Sequence, residues 1–193
     1  NGRKEFGRGF TNEITTGRGP GETAVTGMLS GRIPWGEGHH EKYRELFNRI
    51  TGMVAICEDL PELHNTVTLD PKLTDSDGIP APKISYKLSD NSRRMLDYAI
   101  DRGTEILEAA GATDVLTQAP IGVGGWHLMG TARMGTDPEK SGVNEWGRSH
   151  DARNLVIGDG RIFVSSARAN HTQSRQRFAP CIRDTTPKPP PPP

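Results

Sequence analysis

Asn65-Thr-Val-Thr-Leu69, Lys83-Ile-Ser-Tyr-Lys87 and the long run from Asn91 to Ala110 decide the fold class. The first two alternate apolar and polar residues, the period of a strand with one face covered. Asp70-Pro71 reads as a turn after the first, and the spacer Thr74-Asp-Ser-Asp-Gly78 is turn chemistry. An antiparallel sheet is therefore expected here. From Asn91 the period changes to that of a helix, with Leu96, Ile100, Ile106 and Leu107 as its apolar stripe. Ser89 or Asp90 can cap its start, and Gly111 stops it.

Upstream, Phe10, Asn12 and Ile14 keep a period of two, which suits one strand. Glycines follow at 17, 19 and 21, and Ile33-Pro34-Trp35-Gly36 is turn-forming. Tyr43, Leu46 and Phe47 share one face of a helix expected over His39 to Arg49. Met53 to Cys57 suits a short buried strand. Downstream, Asp114 to Thr117 suits another, and Asn154-Leu-Val-Ile-Gly-Asp159 reads as a buried strand ending in an acid. Strands first, then a long helix, then a glycine-punctuated strand point to an α+β or mixed fold.

The 193 residues suffice for one ordinary domain or parts of two. Basic and acidic residues balance at 24 each, so no long-range field favours nucleic acid or an anionic membrane. Only 33% of residues are hydrophobic, while Gly (23) and Pro (15) abound, which implies long loops around a modest core. No apolar run reaches the length of a membrane span. The segment 185–193 is proline-rich, with polyproline II or disorder as the expectation. Cys57 and Cys181 lack metal-type spacing, and a reduced, cytoplasmic chain is the simplest expectation. The chain starts at Asn1 without a secretory leader and reads as beginning inside a longer protein.

Chemistry concentrates in Trp126-His127-Leu-Met-Gly130-Thr-Ala-Arg133-Met-Gly135. His127 is a titratable group among glycines 122, 124, 125 and 130, which let backbone approach a ligand closely. A histidine beside a tryptophan is nonetheless structural more often than catalytic. Asp159-Gly160 is placed to meet a ligand at a strand end, or to form a plain turn. Asn170-His171-Thr172 is a second polar cluster, and His171 a second candidate base. His39, His40, His64 and His150 read as surface or turn residues, and no metal site is expected. Neither G-x-G-x-x-G nor G-x-x-x-x-G-K-[ST] nor G-x-S-x-G occurs.

Taken together, His127 to Gly135, Gly147-Arg148, Asn154-Leu155, Asp159-Gly160 and Asn170-x-Thr172 resemble the C-terminal signature of the glucose–methanol–choline (GMC) flavin oxidoreductases. Weaker similarity reaches back through Ile56-Cys-Glu-Asp-Leu-Pro61, Val67-Thr-Leu-Asp-Pro71 and Gly78-Ile-Pro-Ala-Pro82. The resemblance implies an antiparallel substrate-domain sheet backed by helices over residues 1–120. Residues 121–184 would return to an incomplete Rossmann-like FAD domain and complete the active site, and 185–193 would be a disordered tail.

It also implies His127 as the base on a substrate hydroxyl and Asn170 as the group bonding the same oxygen. Asp159, Gly160 and Thr172 would lie against the FAD. The substrate would be a small alcohol, sugar or polyol, and the electron acceptor oxygen, a quinone or a cytochrome. A dehydrogenase is the more common expectation, and the large subunit of a sugar or polyol dehydrogenase one subtype. Because the glycine loop that holds the FAD diphosphate in that family is not found here, the chain alone is expected to bind FAD weakly and be inactive.

The chain departs from the family in having His171 where proline is usual, and Arg161 and Arg168 where small residues are usual. Arg175, Arg177 and Arg183 charge a stretch that is an apolar helix in the family, and Pro180 is expected to break it. A non-catalytic remnant that kept the substrate sheet is the rival expectation.

Overall fold

A computed structural model describes residues 5–16, 19–121, 125, 127–165 and 171–185, with side chains to residue 182. The described chain is mixed: four α-helices, a 3-10 turn and two small sheets of two strands each. It divides into two compact units. One draws its described residues from 1–9, 57–98 and 116–193, the other from 10–56 and 99–115. No helix among the described residues is long and apolar enough to cross a membrane.

In the second unit, β1 (Phe10–Thr15) pairs with β2 (Gly52–Cys57); both strands were expected, their pairing was not. β2 is half-buried along its length rather than fully buried. Between them lie α1 (Pro20–Leu29) and α2 (His39–Leu46), which pack together. The glycines hid α1. Pro20 opens it with the φ a first turn needs, and Gly27 brings its backbone onto Ile33. A Cβ at Gly27 would lie 2.6 Å from Ile33 Cγ1, and Ile33 itself is fully buried.

In the first unit, β3 (Thr66–Thr74) pairs antiparallel with β4 (Pro80–Ser85), Val67 opposite Ile84 and Leu69 opposite Pro82. The strand runs on past Asp70-Pro71, where a turn was expected. The carboxylate of Asp70 accepts from the backbone N–H groups of Lys72 and Leu73, both at 2.8 Å, and the register shifts between Leu69 and Thr74. The turn chemistry therefore forms, but as an irregularity within the strand. Asp75 closes the hairpin as expected. Its Oδ1 accepts from the N–H of Asp77 and of Ile79, and Gly78 takes φ +81°.

The helix α3 (Asp90–Ala109) matches its predicted span. Ser89 Oγ accepts from the Ser92 N–H as its N-cap, and Gly111 at φ +94° ends it. Its covered face is not the predicted stripe. Ser92, Met95, Ala99 and Gly103 are buried, while Leu96, Ile100 and Leu107 flank them and Ile106 is 47% exposed. Small residues let backbone approach closely, so the packing face follows Ala99 and Gly103 rather than the larger side chains. Asp59 ties the start of α3 to the hairpin, accepting from Ser92 Oγ at 2.6 Å and from Tyr86 Oη at 2.5 Å.

Three further expectations fail. Asp114 to Thr117 is irregular. Asn154 to Asp159 is not a buried strand; its one bridge joins Val156 to Arg148, and Leu155 is 48% exposed. This run binds loop backbone rather than a sheet, the Leu155 N–H donating to the Ala152 carbonyl and the Ile157 N–H to that of Gly147. Lastly, α4 (Thr172–Thr185) continues through Pro180. Pro180 lies on the exposed side, so the carbonyl it leaves unbonded can meet water, while Phe178 and Ile182 hold the other side down. The end of the chain, 186–193, lies outside the described residues.

Candidate functional site

The segment after His127 is held by backbone bonds to the 3-10 turn η1 (Gly160–Ile162). Gly130 takes φ +82°, a conformation open to glycine. The Ala132 N–H then donates to the Arg161 carbonyl at 3.1 Å, and the Met134 N–H to that of Ile162 at 2.8 Å. Under these bonds lies a small core of Val143, Ile162 and Ile182, joined by Met134, Val156, Ile157, Phe163 and Phe178. Gly147, at φ +72°, fits because a Cβ there would meet the Ile157 carbonyl at 2.6 Å. His150 braces the next loop, its Nε2 lying 3.0 Å from Ser141 Oγ and 3.1 Å from the Gly135 carbonyl.

Asp159 caps η1. Its Oδ1 accepts from the Arg161 N–H at 2.9 Å, and both its oxygens accept from the Arg161 guanidinium. These bonds hold its carboxyl below the ordinary carboxylate range, the side-chain bond to Arg161 counting most. Gly160 is buried beneath Arg175: a Cβ there would lie 2.6 Å from Arg175 Cζ.

Arg175 reaches back one helical turn to His171, Nη2 against Nε2. A guanidinium has only donors, so His171 Nε2 presents its lone pair and the neutral ring carries its proton on Nδ1. Burial first, then the charges of Arg175 and His127, press the His171 pKa below its usual value. The His171 ring meets His127 edge to face, centroids 4.9 Å apart, and Phe163 lies 6.2 Å away on another side. His127 itself is exposed. Two donors in the cluster, His171 Nδ1 and Arg175 Nε, are buried without a hydrogen-bond partner among the described residues.

The structure thus groups His127, His171, Asp159 and Gly160 around Arg175, with Thr172 at the first turn of α4. Asn170 and Trp126 lie outside the described residues. Arg175 was missed as a site residue because it read as stray charge on a helix. Its i, i+4 spacing from His171 was the signal available. His39 and His40 pack edge to face at 5.4 Å, and His39 Nδ1 sits on the Pro34 carbonyl at 3.0 Å, a local role.

The family model for GMC oxidoreductases matches residues 61–176, a span holding the histidine pair, the capped turn and the start of α4. The chain belongs to the GMC oxidoreductase family. Curated relatives agree. Over 174 residues it is 36% identical to the 2-methyl-1,2-propanediol dehydrogenase of Mycolicibacterium austroafricanum, covering 88% of this chain and 31% of that protein. It is 37% identical over 126 residues to the paromamine 6'-oxidase of Streptomyces fradiae, covering 65% and 23%. It is 31% identical over 164 residues to the fructose dehydrogenase large subunit of Gluconobacter japonicus, covering 85% and 29%. The GMC chain spans less than a third of the length of these relatives.

Proposed function

We propose that this chain is the C-terminal substrate-binding and catalytic part of an FAD-dependent oxidoreductase that oxidises a CH–OH group. The observation that carries this reading is an exposed His127, edge-on to His171, inside the segment that matches the GMC family. The relatives whose names specify a diol or a sugar point the same way.

The residues present fit a flavin cofactor at one end and crowd it at the other. Two buried donors without a partner among the described residues suit a group rich in acceptors. Over Gly160 the space is taken by Arg175, the far end of a flexible side chain that can swing aside. Asp159, the Gly160 backbone and Thr172 would then hold the cofactor, as the family resemblance implies. When bound, FAD supplies the hydride acceptor. His127 takes the hydroxyl proton, the work of an imidazole as general base. Asn170 would orient the same oxygen. Residues 1–120 would carry substrate, and 121–184 would close the flavin side.

The test is turnover by the full-length protein, FAD-loaded, with a dye acceptor and a panel of diols and sugars. His127→Asn is expected to lower kcat by roughly 10²–10⁴-fold with flavin content unchanged. An unchanged rate refutes the assigned base. A second reading, a non-catalytic remnant, is favoured by Arg175 over Gly160 and by the pairing of Asp159 with Arg161. A folded, flavin-loaded protein without turnover on any alcohol would select it.

A further inference from the structure

We infer that His171 is a positioning residue for His127: its ring packs edge to face on that imidazole, is backed by Phe163, and so keeps the base in one orientation. This role rests on the reading of His127 as the base and adds to it the part that aims it. His127 is exposed, in a segment without helix or strand, and glycines stand close by at 122, 124, 125 and 130. An exposed imidazole on such backbone can turn among several rotamers. General-base work tolerates little of this, because the ring nitrogen must come within about 2.6–3.2 Å of the hydroxyl it deprotonates.

The constraint runs inward ring by ring. The His127 and His171 rings have centroids 4.9 Å apart and planes at 79°, the edge-on arrangement that aromatic rings favour. Phe163 lies 6.2 Å from His171 at 58°, and Phe178 lies 6.4 Å from Phe163 at 56°. Both phenylalanines pack against Val143, Ile162 and Ile182, the buried core under the site. Three ring contacts thus join an exposed base to close-packed residues that do not rearrange freely. Charge agrees with this division of labour. Burial, before the charges of Arg175 and His127, presses the His171 pKa down and keeps that ring neutral. A neutral neighbour sets no positive charge against the imidazolium that forms on His127. Of two adjoining imidazoles, one is the base and the other its support. Proline is usual at position 171 in the family resemblance, so this ring contact belongs to the present chain.

The experiment compares His171→Gln, which removes the ring, with His171→Phe, which keeps one, in the full-length, FAD-loaded protein. The substrate is the diol or sugar that the native protein oxidises fastest. In His171→Gln, kcat and kcat/KM are expected to fall together by roughly 10–100-fold with flavin content unchanged, the mark of an interaction that acts in the transition state. His171→Phe is expected to recover most of that loss. Phe163→Leu, which keeps an apolar group on the core, is expected to lower kcat less, and to add nothing further to His171→Gln. A readout without turnover is NMR of the 193-residue chain. Cross-relaxation between the ring protons of His127 and those of the ring at position 171 is expected in the native chain and in His171→Phe.

A folded, flavin-loaded His171→Gln protein with native kcat overturns the positioning role. So does a His171→Phe protein as slow as His171→Gln, or a native chain without cross-relaxation between the two imidazoles. Fully additive losses on combining Phe163→Leu with His171→Gln also overturn it, since the two rings would then act apart. The role of His127 fails separately. An unchanged rate in His127→Asn refutes the base and its support together, whereas a rate lost in His127→Asn and kept in His171→Gln refutes the support alone.

Discussion

At the scale of single residues, the imidazole of His171 sets a pH response. The unfolded chain protonates His171 near its ordinary value of about 6.5, while the folded chain does so only at lower pH. Its contribution to stability is therefore whole above about 6.5 and falls as pH drops from there through the folded value. The groups facing it are Arg175 and His127, and Asp159 is already ionised across this window. Melting temperatures between pH 7.5 and 5.5 should fall less steeply in His171→Gln than in the native chain. Parallel curves would remove His171 as the cause. The sequence pointed to His127, His171 and Asp159 because motif spacing survives in one dimension. For Arg175 it offered only the i, i+4 spacing from His171, and nothing of its place over Gly160, which folding makes.

Among the elements, α4 and α1 make opposite lessons. Pro180 was expected to end α4, and the helix continues because the freed carbonyl is on the wet side and Ile182 is buried on the other. Propensity lost to packing. Pro180→Ala should then stabilise the chain by about 3 kcal/mol, read as a shift in urea midpoint. Ile182→Ala should destabilise it by about 2–5 kcal/mol, since Ile182 joins Val143 and Ile162 in the core beneath the site. If Ile182→Ala is neutral, α4 is not anchored as described. In α1, Gly27→Ala should cost about 1–3 kcal/mol through overlap with Ile33, with partial recovery when Ile33→Val is added. An isolated Gly27→Ala that stabilises, as helix propensity alone predicts, would contradict that packing. The strands, α3 and the Asp75 turn were legible because each is specified by its own local pattern of residues. The run Asn154 to Asp159 was not, because an apolar stretch that bonds to loops has the same local pattern as a strand.

For the whole molecule, the GMC chain carries a candidate base and acceptor-seeking donors without a phosphate-cradling glycine motif. We expect FAD to bind the 193-residue chain weakly or not at all. Quenching of Trp35, Trp126 and Trp146 during an FAD titration measures this, and saturable binding at micromolar or tighter would contradict it. The hairpin of β3 and β4 has a consequence of another kind. Val67, Leu69 and Ile84 share one face of a two-stranded ribbon, and each is more than half exposed. Such a ribbon is a template for fibril growth, since every strand in it is an edge. Pro71, Pro80 and Pro82 punctuate both strands with positions that cannot donate to an added strand. They act as gatekeepers of solubility: replacing all three with threonine should turn a clear solution into one that binds thioflavin, long before the helices melt.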